Sequence, residues 1–140
     1  MLSLKTWRAQ LDERLPIYEQ IVQRFCRSMA SGEIGAGERI PSIRETALEL
    51  GVNANTVQRA YQELERAGLI YTRRGMGYFT KEDASMSERV RGEMVRQAIA
   101  RFMDEMRSLG FEDRCILGEL ELYLNTQQVK GDRIDGTSAD

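Results

Sequence analysis

The chain contains no histidine and only two cysteines, Cys26 and Cys115. The usual zinc spacings cannot be assembled from these, so no metal site is expected, and histidine-dependent catalysis is excluded. Cys26 falls in a helical pattern and Cys115 near the start of another, which suits two free thiols in a reducing compartment better than a redox sensor. Also missing is any apolar run of the roughly 20 residues that a membrane span needs. The N-terminus, MLSLKTWRAQLDERLP, has acidic residues and no apolar core of signal-peptide length. A cytoplasmic chain without a membrane partner is expected. A phosphate-binding glycine loop is absent too, because Gly75-Met76-Gly77 leads into a strand-like run where a nucleotide loop would open a helix. Carboxylates abound, yet Glu45, Glu63 and Glu65 are explained by a helix cap and a solvated helix face. Neither a cofactor nor an enzymatic activity is expected.

What is present fits a soluble globular chain: 140 residues, 41% hydrophobic and 30% charged, room for one ordinary domain and a small appendage. The informative stretch is Ile40 to Thr80, IPSIRETALELGVNANTVQRAYQELERAGLIYTRRGMGYFT. Ser42 and Glu45 stand in capping-box spacing at the start of a helix whose apolar side is Ile43, Ala47, Leu48 and Leu50. Gly51 is placed for a left-handed cap. Asn53 opens a second helix, with Val52 and Val57 spaced as a hydrophobic staple. Its buried stripe is Val57, Ala60, Tyr61 and Leu64, and Gly68 ends it. Two helices around Gly51-Val52-Asn53 make a helix-turn-helix. After Gly68, the β-prone runs Leu69–Arg73 and Tyr78–Thr80 flank Arg74-Gly75-Met76-Gly77, which is a wing.

The outer face of the second helix collects Asn55, Thr56, Gln58, Arg59 and Gln62, mainly toward its N-terminal end. That end of a recognition helix meets base edges in the major groove. Asn and Gln suit adenine, Arg suits guanine, and the Thr methyl can touch a thymine methyl. The candidate DNA surface is therefore Ser42, Arg44, Asn53, Asn55, Thr56, Gln58 and Arg59, with Arg73, Arg74, Gly75 and Gly77 from the wing. A solvated helix face and an ordinary hairpin would be the plainer alternative. Caps, turn, wing and basic tip falling in the order of a winged helix decide against it.

The net charge of −2 looks wrong for a DNA binder until it is partitioned. Residues 1–38 are neutral, residues 39–81 carry +3 (seven basic, four acidic) and residues 82–140 carry −5 (eight basic, thirteen acidic). One lobe is suited to phosphate and the other to protein.

The same stretch resembles the DNA-binding domain of GntR-type bacterial transcription regulators. Pro41-Ser42-Ile43-Arg44-Glu45, Gly51-Val52-Asn53-Ala54-Asn55-Thr56-Val57 and Gly75-x-Gly77-Tyr78-Phe79 match the family's patterns. Tyr18-Glu19-Gln20-Ile21 and the asparagine pair are most similar to the small YtrA-like subfamily. The likeness is detailed from about Leu15 to Thr80 and looser to about Gln127. It implies that Arg44 corresponds to an arginine that reaches the DNA, and a role beside transport or cell-envelope genes. Ala54 stands where several subfamilies have arginine, so their base preferences do not transfer.

Around this core, Met1 to Arg14 shows no clear period and is expected to be an arm or short irregular segment, packed on a neighbouring subunit. Pro16 reads as the first residue of a helix bearing Ile17, Ile21, Val22, Phe25 and Met29, closed by Gly32. Gly35–Glu38 is a turn, and Arg39-Ile40 a brief edge strand able to pair with the wing. Ser85 and Glu88, in capping-box spacing, open a long helix to about Leu109 with Gly110 as its cap. Its stripe includes Val90, Met94, Val95, Ile99, Phe102, Met103 and Met106. A final helix from Glu112 or Asp113 bears Ile116, Leu117, Leu120, Tyr123 and Leu124. Residues 128–140 are expected to be a disordered tail.

The expected fold class is α+β, mostly α: a winged helix-turn-helix domain over 15–81, followed by a short two-helix dimerisation region over 85–127. Val95, Ile99, Phe102, Met103, Met106, Ile116, Leu120, Tyr123 and Leu124 are the candidate dimer residues. Two such helices cannot bury their stripes on each other alone, and a symmetric dimer is the economical solution. The resemblance implies the same, since YtrA-like members devote a short C-terminal helical region to dimerisation. The expected function is a homodimeric, sequence-specific transcription regulator, a repressor occluding a near-palindromic double-stranded DNA operator. An unidentified small-molecule effector, if one acts, would shift populations of dimer geometries. The competing reading, a winged-helix protein-interaction module in a larger complex, calls for an apolar or acidic recognition face. Asn55, Gln58 and Arg59 are neither.

Overall fold

In the computed structural model the backbone is described for residues 2–135 and side chains for residues 2–131. The elements follow in the order α1 (Leu4–Gln10), α2 (Ile17–Ser31), β1 (Arg39–Ile40), α3 (Ile43–Leu50), α4 (Ala54–Arg66), β2 (Ile70–Arg73), β3 (Gly77–Thr80), α5 (Met86–Ser108) and α6 (Asp113–Asp135). They divide into two compact units, Met1–Met94 and Val95–Asp140, and α5 belongs to both.

In the first unit, each helix contributes a stripe of three- and four-residue spacing. From α2 come Ile21, Phe25 and Met29, all fully buried, with Gly32 at φ +80° closing the helix. Pro16 stands one residue earlier than expected, as the N-cap. On α3 the capping box forms: Ser42 Oγ accepts from the Glu45 amide and Glu45 Oε2 from the Ser42 amide, both at 3.0 Å. Leu48 corrects the expectation, being exposed, while Thr46 is buried in its stead. The reason is angular, since positions 43, 46, 47 and 50 make the inward stripe and 48 lies off it. The stripe of α4 is Val57, Ala60, Tyr61 and Leu64, as read from the sequence.

The three strands form an antiparallel sheet in the order β1-β3-β2, with Arg39 opposite Phe79 and Arg73 opposite Gly77. Because Gly77 pairs within β3, the wing tip narrows to Arg74-Gly75-Met76. Buried Thr80 fastens the sheet to the preceding turn, donating to the Gly35 carbonyl at 2.6 Å and accepting from the Glu38 amide at 2.9 Å.

The N-terminal segment is not an arm. It forms α1, and Leu4 and Trp7 are buried in the core of their own chain. Trp7 meets Phe25 edge-to-face at 4.9 Å, Phe25 meets Tyr61 at 5.4 Å, and Tyr61 meets Tyr78 at 4.9 Å. A continuous aromatic chain thus runs from α1 through α2 and α4 to the wing. The first turns of α5 also belong here, through Met86 and Val90 and a 3.2 Å bond from Ser87 Oγ to the Ala30 carbonyl. At that helix start Ser85 pairs with Asp83 instead of capping through Glu88: its amide and hydroxyl donate to Asp83 Oδ1 at 2.9 and 2.7 Å.

In the second unit, Gly110 at φ +93° breaks the chain between α5 and α6. Arg107 holds Asp113 through two bonds of 2.8 and 2.9 Å across that turn. Helix α6 continues through residues 128–135, into the stretch expected to be a disordered tail. Gln127, Gln128, Val129 and Lys130 carry the helix on with no proline among them, and Gly131 stands inside it without ending it. Residues 136–140 of that expected tail lie outside the described residues.

Trp7 gives the sharpest test of the revised N-terminus. Trp7→Ala should lower unfolding free energy by about 3–5 kcal/mol, read from urea or thermal denaturation of the full chain. A dangling arm would leave the midpoint unchanged.

Candidate nucleic-acid interface

With one side of α4 committed to the core, its other side presents Asn55, Gln58 and Arg59 exposed and Thr56 half-buried. Asn53 is used in building the helix, its Oδ1 accepting the Asn55 amide at 2.8 Å. That leaves the Asn55 side chain, with its donor and acceptor, turned outward. Ser42 is likewise engaged as a cap and retains its hydroxyl proton, while Arg44, one residue into α3, is exposed.

Arg59 lies 3.8 Å above the ring of Tyr18, from the first turn of α2. The Tyr18 hydroxyl donates to Glu19 at 3.1 Å, and this bond holds the phenol above its ordinary range. Pro16, Ile17, Tyr18, Asn55, Thr56 and Arg59 together enclose a shallow recess of about 600 Å³. The candidate surface therefore spans α2 and α4, and Tyr18 joins it as a residue that patterns in the motif alone did not reveal.

The two wing arginines differ. Arg73 pairs with Glu82 at 2.7 Å and lies over Phe79 at 4.8 Å, and Glu82 also accepts from the Tyr71 hydroxyl at 3.2 Å. Arg74, at the tip, has no ion-pair or hydrogen-bond partner among the described residues. Gly75 and Gly77 sit at φ +77° and +103°, a region that only glycine occupies cheaply. A side chain at Gly77 would meet the Arg39 guanidinium at 3.5 Å, so Arg39 of β1 adds a cation beside the wing. Arg39 is expected from the sequence in an edge strand but not as a DNA-facing residue, since only the side-chain placement beside Gly77 reveals that position.

Both cysteines are free, and burial pushes the Cys26 thiol above its ordinary range. No cluster of three or more metal-ligating side chains occurs among the described residues, and none of their helices is long and apolar enough to cross a membrane.

Residues 17–79, from the first turn of α2 to the end of the wing, match the family model described as bacterial regulatory proteins, gntR family. The HTH-type transcriptional regulator YhcF of Bacillus subtilis is 37% identical over 114 residues, which is 81% of this chain and 94% of that protein. The chain belongs to the GntR family. The HTH-type transcriptional repressor YtrA of Bacillus subtilis is 43% identical over 88 residues, 61% of this chain and 67% of that protein. Among solved structures, a GntR family transcriptional regulator from Listeria monocytogenes superposes with a TM-score of 0.72 at 37% identity, covering 79% of this chain and 97% of that one. This GntR protein is a winged helix-turn-helix, DNA-binding transcriptional regulator of the YtrA-like kind.

The Tyr18–Arg59 stack makes a specific demand. Tyr18→Ala should weaken DNA binding by about two- to fivefold, the worth of an exposed cation–π contact, whereas Tyr18→Phe keeps the ring and should match wild type. Fluorescence anisotropy with labelled duplex would read both, and equal loss in the two variants would deny the ring its role.

Proposed function

We propose that this GntR protein is a homodimeric repressor that occludes a near-palindromic operator in the cytoplasm. The observation that carries the reading is the grouping of Asn55, Gln58 and the braced Arg59 on the free side of α4, with unpaired Arg74 at the wing tip. Asn55 and Gln58 read base edges, Arg44 and Arg59 hold the helix on the backbone, and Arg74 follows the minor groove or its phosphates. Repression is favoured by the likeness to YtrA, itself described as a repressor.

The dimer rests on the second unit. Val95, Ile99, Phe102, Leu120, Tyr123 and Leu124 stand between 38% and 61% exposed, Met103 and Met106 are half-buried, and only Ile116 of the candidate residues is buried. Solvent-facing apolar residues at helical spacing along two 23-residue helices are an unfinished core. A second copy completes it by two-fold symmetry, and the operator half-sites inherit that axis. A small-molecule effector would act by binding dimer geometries unequally.

Selection of bound fragments from random duplex DNA tests the whole reading, and recovery of no two-fold motif would refute it. On the selected site, Asn55→Ala should relax discrimination at defined positions at a cost of roughly 1–3 kcal/mol. Arg74→Ala should instead weaken all sequences alike and flatten log K against log salt by about one unit. Phe102→Asp places an unpaired charge in the proposed core. It should sediment as monomer with the winged unit still folded and with reduced operator affinity; a dimer in that variant would exclude these helices as the interface.

A further inference from the structure

We propose that a second recess, at the C-terminal half of α2, is a binding site for a small organic anion with an apolar body, a carboxylate or phosphate monoester carrying a hydrocarbon group. The recess encloses about 450 Å³, within the range of ligand cavities. It lies inside the first unit, where α1, α2 and the opening turns of α5 meet. It is not the DNA face: Tyr18 and Ser28 are ten residues apart on α2, about 15 Å of helix.

Three arginines line the recess. Arg24 and Arg27 come from α2 and Arg91 from α5. None has an ion-pair or hydrogen-bond partner among the described residues, although other arginines of the chain, such as Arg73, Arg89 and Arg107, do. Arg24 is half-buried, which raises the cost of leaving its charge uncompensated. Glu33 is the one carboxylate lining the recess, and it is engaged by the buried Ser28 hydroxyl at 3.0 Å. The hollow is therefore electropositive, and arginine forks favour carboxylate and phosphate oxygens.

Beside the charges the lining has an apolar part, Trp7, Ala30 and Met94, together with the hydroxyls of Ser28 and Ser31. A fully hydrated inorganic ion gains nothing from such a floor, and a neutral hydrocarbon gains nothing from the arginines. An amphiphilic anion uses both. The walls are preformed, since Trp7 is locked against Phe25, and Met86, Val90 and Ser87 fix the start of α5.

Trp7 is the sole tryptophan, so its emission reports on this recess without a label. The full chain is titrated with octanoate, octyl phosphate, 1-octanol and inorganic phosphate, all below any micellar concentration. Octanoate or octyl phosphate should shift Trp7 emission saturably, and the tighter of the two names the head group. Octanol and inorganic phosphate should each bind at least about tenfold more weakly, the worth of one charge-assisted contact. Arg24→Gln and Arg27→Gln should each lose about fivefold or more. Arg91→Gln, at a solvent-exposed position of α5, provides a variant whose folding is not in question. Octanol matching octanoate, inorganic phosphate matching octyl phosphate, or wild-type titrations in all three variants would overturn the proposal. The measurement contains no DNA, so it fails or succeeds independently of the operator reading.

Discussion

The DNA-reading parts of this molecule are held together by the side chain of Tyr61. Its hydroxyl donates to the Pro41 carbonyl at 2.6 Å, so its own lone pair is left for the Thr46 hydroxyl at 2.8 Å. Its ring stands edge-on to Phe25 on one side and Tyr78 on the other. One residue of the recognition helix therefore fixes that helix against α2, against the wing, and against the residue preceding the α3 cap. Burial raises the Tyr61 phenol far above its ordinary range, so the donor to Pro41 is never lost at working pH. Leaving such a buried group unpaired costs about 1–3 kcal/mol, whereas the exposed pairs Arg14–Asp12 and Arg66–Glu63 contribute little. The angle between helix and wing is thus a property of the core.

That rigid frame lets the surface cations take different duties. Arg59 rests on Tyr18 and Arg73 on Phe79, each with its long side chain already ordered. Ordering a free arginine on binding carries an entropy cost, which bracing reduces. In the proposed complex Arg59 brings this ordered side chain to the backbone, while Arg74 and Arg44, which have no such support, make phosphate contacts that tolerate imprecise geometry because charge neutralisation carries no sequence information. Compensation of Arg73 by Glu82 also concentrates the wing's free charge at its tip, beside the two positive-φ glycines.

Where local rules suffice, the structure could be read from the chain. The Ser42–Glu45 box, the α4 stripe and the left-handed glycines all depend on short-range sterics and period. Elsewhere tertiary packing decides. Helix α1 spans seven residues, fewer than two full turns' worth of repeated pattern, and tertiary packing, including the edge of the Phe25 ring, makes Trp7 a core residue. Leu48 looked inward by hydropathy but stands off the stripe, and Thr46 is admitted because Tyr61 satisfies its hydroxyl. Tyr18 and Arg39 join the candidate interface through contacts with residues 41 and 38 positions away, which no local motif encodes.

The C-terminal unit poses the remaining physical constraint. Among the described residues α5 and α6 show no extensive close backbone packing on each other, and most of the large apolar residues beyond Met94 are solvent-exposed. Amphipathic helices draw most of their stability from tertiary burial rather than from propensity. In the proposed dimer, folding of this unit and association are therefore one process, and its apparent stability rises with protein concentration. The same coupling governs DNA. A single winged unit offers the few contacts of one half-site, while a pair joined by a stiff helical core presents the second half-site at high effective concentration. Operator occupancy then depends steeply on the amount of chain present, with no contact to DNA beyond those of α4 and the wing.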